Sequence, residues 1–381
     1  MAKVIVLGAG MVGTVMAADL LADAFIDVTL ADVRPEALRG AAGRIGPRLR
    51  TVQADLGEVE TLKRTIAPFA LVLGALSSRI GFQTLRAVVE SGKNYCDISF
   101  MPQDAWELDE LAKANGVTAV VDCGVAPGMS NMLAGFGDAQ LDQCERIEIY
   151  VGGLPRERRW PFQYKAGFSP HDVIEEYTRP SRVVEHGRIV VKEALSEPEL
   201  MDFPGVGTLE AFNTDGLRSI ANFIKAPFMK EKTLRYPGHI ELMRVFRETG
   251  LFGHDPVDVG GTQVRPIDLT SALMFPKWTY EPGEEDLTVM RVLVEGTKRG
   301  QRVCYTWDLL DFFDRTSQCT SMSRTTAIPC AIVARMIAAG QVRMRGVIPP
   351  ELLGRDPGVL DHVLQEHAKR GIEYRSRIES L

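Results

Sequence analysis

Short apolar runs separated by amphipathic stretches fill the first third of the chain. Val4 to Leu7, Val28 to Ala31, Arg48 to Val52, Leu71 to Leu73, Tyr95 to Ser99 and Val117 to Val121 read as strands. The most apolar of them show no polar alternation, the pattern of strands buried on both faces. Between them, Thr14 to Leu21, Arg34 to Gly46, Glu58 to Ile66, Gly81 to Ser91 and Gln103 to Asn115 carry helix-compatible spacing. Regular alternation of strand and helix through residue 122 predicts an α/β unit with a doubly wound parallel sheet.

The pattern then changes. Arg146 to Gly152 alternates, with Ile147, Ile149 and Val151 apolar, as a strand with one exposed face does. Strand-like runs follow at Arg182 to Glu185, Arg188 to Val191 and Thr233 to Arg235. Leu287 to Glu295 and Gln301 to Leu309 read as a hairpin closed around Gly296 to Gly300. Helices are predicted at Ser169 to Tyr177, Gly216 to Phe223 and His239 to Glu248. Antiparallel strands with helices to one side make an α+β second domain over about 123–315. Thr325 to Ala339 and Asp356 to Arg370 are predicted as closing helices.

A chain of 381 residues exceeds one ordinary core, which fits two domains. Apolar content of 45% and charged content of 25% are those of a globular protein. The net charge of −6 gives no electrostatic case for nucleic acid or an anionic membrane. The longest uncharged stretch, 15 residues between Lys3 and Asp19, is too short to span a bilayer. No leader is expected, since the first strand begins almost at Met1, and a cytoplasmic location follows from that reading. The six cysteines form no C-x-x-C and do not cluster with histidine, so reduced thiols and no metal site are expected.

Chemistry enters at Gly8, Gly10 and Gly13, which form G-x-G-x-x-G between the first strand and its helix. Gly8 makes the tight turn, Gly10 admits a pyrophosphate to the backbone, and Gly13 lets helix and strand pack closely. The amides at Met11 and Val12 open the helix, whose dipole favours an anion. Asp32 ends the second strand nineteen residues after Gly13, placed to accept the adenosine ribose hydroxyls. A carboxylate there repels a 2′-phosphate, so NAD is favoured over NADP, although Arg34, two residues on, could reach a phosphate. Val33 and Arg34 flank the ribose. Asp55 and Leu56 follow the third strand, Asp55 either beside the adenine or as a helix cap. Ala75, Leu76, Ser77 and Ser78 follow the fourth strand and line the nicotinamide half. Asp97 ends the fifth, and Gly124 and Pro127 lie in the loop after the sixth.

V-I-V-L-G-A-G-M-V-G, D-C-G-V-A-P-G-M-S-N-M-L-A (122–134), Y-V-G-G-L-P (150–155), L-E-A-F-N-T-D-G-L-R (209–218), E-K-T-L-R-Y-P-G-H (231–239), T-S-M-S-R-T-T-A-I-P (320–329) and G-V-I-P-P-E (346–351) occur in that order. In this combination the chain resembles the saccharopine reductase and lysine 6-dehydrogenase superfamily, and three of the stretches are most similar to lysine 6-dehydrogenases. The resemblance implies a Rossmann-type dinucleotide-binding domain, 1–122 plus 316–381, with the second domain inserted at 123–315. Two departures bear on substrate. Asp97-Ile-Ser-Phe100 stands where lysine 6-dehydrogenases carry Asp-Leu-Gly-Gly, and Asp215 and Arg218 are more similar to the saccharopine reductase pattern.

The activity so implied is NAD-dependent oxidation of an amino-acid amine, L-lysine 6-dehydrogenase in the leading reading. The rival is a secondary-amine enzyme of the saccharopine or carboxynorspermidine kind; a nucleotide-binding protein without turnover is the reading from a different class. Carboxylate anchors should be basic, which selects Arg218, Lys232 and Arg235, with Thr214 beside them. Asp97, Tyr164, Lys165 and His239 are the candidates for acid–base work. The Arg156 to Arg159 run reads as surface. A homo-oligomer associating through the inserted domain is expected.

Overall fold

The computed structural model describes residues 2–381. Its first stretch alternates strands β1 (Ala2–Leu7), β2 (Ile26–Asp32), β3 (Arg50–Gln53), β4 (Leu71–Gly74), β5 (Asn94–Asp97) and β6 (Thr118–Val120) with helices α1 (Met11–Leu21), α2 (Pro35–Ile45), α3 (Val59–Ile66), α4 (Ser78–Glu90) and α5 (Asp109–Ala114). Helix α6 (Met129–Ala139) follows the loop after β6. The middle of the chain then supplies β7 (Gln143–Pro155), α7 (Pro170–Thr178), β8 (Ser181–Glu185), β9 (Arg188–Lys192), β10 (Glu199–Phe203), β11 (Gly207–Asn213), α8 (Ile220–Phe223), β12 (Phe228–Arg235), α9 (His239–Glu248), β13 (Val257–Val259), β14 (Thr262–Val264), α10 (Pro266–Trp278), β15 (Asp286–Lys298) and β16 (Gln301–Phe312). The chain closes with α11 (Ser321–Ala338), β17 (Gly346–Ile348), α12 (Pro350–Gly354), α13 (Pro357–Lys369) and β18 (Tyr374–Ser380).

Two compact units result. The first comprises Met1–Phe136 and Ser323–Ile372, the second Gly137–Met322 and Glu373–Leu381. The first unit holds a seven-stranded sheet of order β17-β6-β5-β4-β1-β2-β3, parallel throughout. Val4 to Leu7 are fully buried, which is why that strand reads as an unbroken aliphatic run. Helix α11 packs here: Cys330 Sγ lies 3.3 Å from Cys96 Sγ on β5, and Arg335 pairs with Asp19 of α1 at 2.5 Å.

The second unit is built on a nine-stranded sheet whose main path runs β10-β11-β12-β7-β15-β16-β18. Alternation had predicted purely antiparallel pairing. Instead β12 lies parallel to β7, while β7 and β15 pair antiparallel, so the sheet is mixed. The last strand also departs from the expected division, since 373–381 joins the second sheet through β16 and not the nucleotide unit. Helix α6 stays largely with the first unit, beyond the expected boundary at 122. Its glycines obscure it in the sequence, yet a Cβ on Gly135 would meet the Glu351 carbonyl oxygen at 2.1 Å. Pro276 likewise hides α10. Among the described residues no helix is long and apolar enough to cross a membrane, and no His/Cys/Asp/Glu group could hold a metal ion.

Candidate active site

In the first unit the residues singled out from the sequence gather at the carboxyl ends of the parallel strands, where ligands of open α/β sheets lie. Gly8 adopts a φ of 102°, and a Cβ there would stand 2.3 Å from the Ala75 carbonyl oxygen. A Cβ on Gly13 would come within 1.9 Å of the Gly8 oxygen. Gly10 is different. A Cβ there would meet nothing within 4 Å, so this glycine faces open space at the start of α1. No side chain caps that helix, and Val12 is buried behind its first turn while Met11 is 44% exposed. Open backbone at an uncapped helix N-terminus fits the pyrophosphate of a dinucleotide.

Asp32 closes the other side of this turn. Its carboxylate accepts hydrogen bonds from the Ala9 amide at 2.7 Å, the Arg34 amide at 2.9 Å and the Arg34 side chain at 3.1 and 3.2 Å. Burial pushes its pKa up, but the bonds from Arg34 and Ala9 outweigh it and hold the group below the usual carboxylate range. The Arg34 side chain is half exposed, and Val33 is exposed beside it. Asp55 accepts from the Gly57 amide at 3.0 Å within its own turn, and Leu56 is buried in the core. Ser77 caps α4 at the Arg79 amide, Ser78 is buried, and Ala75 and Leu76 line the same turn. Gly124 donates its amide to the Pro127 carbonyl at 3.0 Å, closing the loop after β6.

Asp97 is fully buried at the end of β5. The Tyr95 hydroxyl donates to it at 3.2 Å, the Asp122 amide at 3.3 Å, and the Ser99 hydroxyl very closely. Burial pushes its pKa up to about 7, against the pull of Ser99. A carboxyl balanced near neutrality thus stands at the strand end where ligands of open α/β sheets lie.

In the second unit, Arg235 at the end of β12 is 2% exposed. Its guanidinium donates to Glu176 at 2.5 Å, to the Tyr177 hydroxyl at 3.2 Å and to the Leu234 carbonyl at 2.9 Å, and it stacks 4.4 Å over the Tyr164 ring. His239 lies in contact with both tyrosine rings. Its Nδ1 sits 2.8 Å from the Phe162 carbonyl, which can only accept, so Nδ1 carries the proton and Nε2 accepts from the Tyr177 hydroxyl at 2.9 Å. Burial, aided by Arg235, depresses its pKa to about 3. His239 is therefore neutral at working pH with both nitrogens engaged, the arrangement of a fixed acceptor and not of a proton shuttle. Trp278 completes the cluster, edge-on to Tyr164 at 5.3 Å. Its buried Nε1–H has no partner among the described residues.

The other candidates make different contacts. Side chains alternate along β12, so Lys232 projects to the face opposite Arg235. There it binds the Glu197 carbonyl at 2.6 Å and Glu199 at 3.0 Å. Lys165 is held by Glu284 and donates to the Thr279 carbonyl at 2.8 Å. Arg159 is more than half exposed and pairs with Glu157 and Glu284, a surface network that also takes in Lys165. Arg218 is buried with a φ of 52°. Thr214 donates to Glu231 at 2.6 Å and meets Thr233 at 2.8 Å. Sequence reasoning missed Glu176, Tyr177 and Trp278; an acid adjoining the buried face of the amphipathic Ser169 to Tyr177 helix was the available signal for Glu176.

Glu231 yields a pH prediction. It is buried, and burial pushes its pKa up to about 8 from an ordinary value of 4.5, against the bond from Thr214. The folded chain therefore keeps a proton that the unfolded chain releases across that window. The stabilisation is complete below the unfolded value and lost as pH rises through the folded one. Glu231→Gln should flatten the fall in stability over this window in urea unfolding at a series of pH values; an unchanged slope would contradict the assignment.

Comparison with known proteins identifies the family. A family model described as the saccharopine dehydrogenase NADP binding domain matches residues 4–120, and one described as the saccharopine dehydrogenase C-terminal domain matches 124–372. The chain is similar to carboxyaminopropylagmatine dehydrogenase of Synechocystis sp., 24% identical over 383 residues and covering 94% of each chain. It is 21% identical to the NADP(+), L-glutamate-forming saccharopine dehydrogenase of Schizosaccharomyces pombe, covering 87% of this chain and 89% of that one. Bovine mitochondrial alpha-aminoadipic semialdehyde synthase is 24% identical over 91% of this chain, which spans 45% of that longer protein. In fold the chain matches apo saccharopine dehydrogenase (L-Glu forming) from Saccharomyces cerevisiae, with a TM-score of 0.80 over the whole of both chains at 17% identity. The chain belongs to the saccharopine dehydrogenase family, oxidoreductases of amines and amino acids with a nicotinamide-dinucleotide-binding first unit.

Proposed function

We propose that the chain oxidises the side-chain amine of L-lysine with NAD, giving 2-aminoadipate 6-semialdehyde. One observation carries the reading: Arg235 and Glu176 set a cation and an anion side by side among Tyr164, Tyr177 and Trp278. That pair is the electrostatic complement of an α-amino acid head group, with Arg235 for the carboxylate and Glu176 for the ammonium. The aromatic side chains around it suit an apolar methylene chain.

The balanced reaction takes lysine, NAD and water to the semialdehyde, ammonium, NADH and a proton. A bound nicotinamide supplies acceptance of a hydride from the carbon that bears the nitrogen. The chain's own residues do the rest. Gly8, Gly10 and Gly13 shape the turn that holds the pyrophosphate, and Asp32 takes the ribose hydroxyls. Arg235, oriented by Tyr177 and Tyr164, fixes the substrate carboxylate. In the first unit Asp97, balanced near neutrality and bonded by the Ser99 hydroxyl, is a group whose protonation can change at working pH.

A second reading draws on the relatives, whose names include carboxyaminopropylagmatine dehydrogenase and carboxynorspermidine synthase. An enzyme that forms or cleaves a secondary amine needs cations for further carboxylates, and the buried Arg218 would supply one. Incubation with NAD and a panel of amino acids, followed by NADH absorbance, separates the two. Lysine turnover supports the first reading; silence with lysine but turnover of N-carboxyalkyl amines supports the second. Binding without any turnover would mark a nucleotide-binding protein.

For the cofactor we expect NAD to bind about tenfold tighter than NADP, a difference of roughly 1.4 kcal/mol. An ionised Asp32 repels a 2′-phosphate, while the fork from Arg34 tempers that repulsion. Equal affinities in a titration, or tighter NADP, would show that Arg34 carries the phosphate.

A further inference from the structure

We infer that Glu231 is a specificity-determining residue of the substrate site, where its Oε1 accepts a hydrogen bond from a primary ammonium of the substrate. The inference deepens the amino-acid reading of Arg235 and Glu176 and rests on it. Side chains alternate along β12, so Glu231, Thr233 and Arg235 share one face, and all three are buried. A polar chain crosses that face: Thr214 Oγ1 lies 2.6 Å from Glu231 Oε2 and 2.8 Å from Thr233 Oγ1. The Gly216 amide donates to the same Oε2 at 3.0 Å. Among the described residues Oε1 accepts no hydrogen bond and Glu231 makes no ion pair.

The surroundings fix this carboxyl in place. A Cβ on Gly216 would stand 2.3 Å from the Glu231 carboxyl carbon, so a side chain at 216 would displace the group. A glycine, a hydroxyl and an amide thus hold one oxygen and leave the other open. Although Glu231 is only 3% exposed, Oε1 is not closed off from solvent, so a small polar group can reach it. A carboxyl this deep is costly until both oxygens are matched, and a ligand donor at Oε1 would complete it.

Charge then chooses the class of donor. Three bases of the neighbouring segments bind other acids: Arg182 binds Asp215 at 2.8 Å, Arg235 binds Glu176 at 2.5 Å, and Lys232 binds Glu199 at 3.0 Å on the opposite face. The charges that act on Glu231 are those of Glu176 and Asp215, both acids. They repel a carboxylate ligand and attract a cation. Burial first, then these two acids, push the Glu231 pKa up to about 8, so the carboxyl holds a proton at neutral pH. An ammonium brought to Oε1 favours the carboxylate and displaces that proton to the solvent. A primary ammonium supplies both the charge and the N–H donors that Oε1 lacks.

Calorimetric binding of L-lysine, L-norleucine and 6-aminohexanoate to the full chain tests the assignment without turnover. Norleucine lacks the side-chain ammonium, and 6-aminohexanoate lacks the α-ammonium. Glu231→Gln keeps the size and hydrogen-bonding capacity of the group and removes its charge. It should weaken lysine binding at least tenfold with NAD affinity unchanged. Of the two analogues, only the one retaining the ammonium held at Oε1 should be weakened likewise, which identifies that ammonium. In buffers of different ionisation enthalpy, lysine binding near pH 7 should release about one proton more from wild type than from E231Q. Lysine bound in this way but never oxidised would leave the assignment standing and remove the lysine-oxidation reading. Wild-type affinity of E231Q for all three compounds overturns the assignment. So does an equal loss for both analogues, or a wild type that binds none of the three.

Discussion

Arg235→Ala is expected to lower kcat/KM for the amino-acid substrate by roughly 30- to 1,000-fold, about 2–4 kcal/mol, with dinucleotide affinity unchanged. The arginine is almost fully buried, and Tyr177, Tyr164 and the Leu234 carbonyl determine where its guanidinium points. Lys232 cannot take its place, since it lies on the opposite face of β12. The substitution also strands Glu176, so stability should fall by about 3–5 kcal/mol. Adding Glu176→Gln to the alanine variant separates the two effects. It should recover much of the stability and none of the turnover, because the lost charge-assisted contact to substrate is not replaced. Arg159→Ala is the control, within about threefold of wild type because its ion pairs are exposed. An Arg235→Ala enzyme with full kcat/KM would transfer the anchor role to Arg218.

The second large effect distinguishes two glycines of one motif. Gly10→Ala should leave thermal stability nearly unchanged, since its Cβ meets nothing within 4 Å. It should nonetheless weaken dinucleotide binding at least tenfold, about 1.4 kcal/mol or more, because the methyl fills the space reserved for the pyrophosphate. Gly13→Ala should do the reverse, lowering stability first, since its Cβ would stand 1.9 Å from the Gly8 oxygen. Calorimetric binding alongside thermal unfolding reads both. A Gly10→Ala protein that binds NAD at full strength would remove the pyrophosphate from this turn.

The nucleotide half was legible because its signals are local. Fully buried parallel strands must be aliphatic throughout, and a turn whose Cβ positions collide with backbone must be glycine. Spacing to Asp32 then follows from the length of one helix and one turn. The sequence did not reveal that Arg34 forks back onto Asp32, because i and i+2 on extended backbone share a side only when the strand continues. In the second unit the informative contacts are between distant segments. Arg235 was readable as a basic residue in a motif, but its partner Glu176 lies fifty-nine positions away. The parallel pairing of β12 with β7 and the return of β18 to the second sheet depend on chain routing, which periodicity does not encode. Helix α10 was hidden by Pro276 and α6 by its glycines, of which Gly135 is required by the close approach of the Glu351 carbonyl.

Gly8 to Gly13 would hold a dinucleotide that supplies hydride acceptance from the carbon bearing the substrate amine. Incubating the protein with NAD and L-lysine deuterated at its side-chain terminal carbon tests it most directly. Deuterium is expected in the reduced nicotinamide, one equivalent for each semialdehyde formed, with a slowed rate if hydride transfer limits turnover. Reduced nicotinamide without deuterium, or semialdehyde formed without reduced nicotinamide, would contradict it.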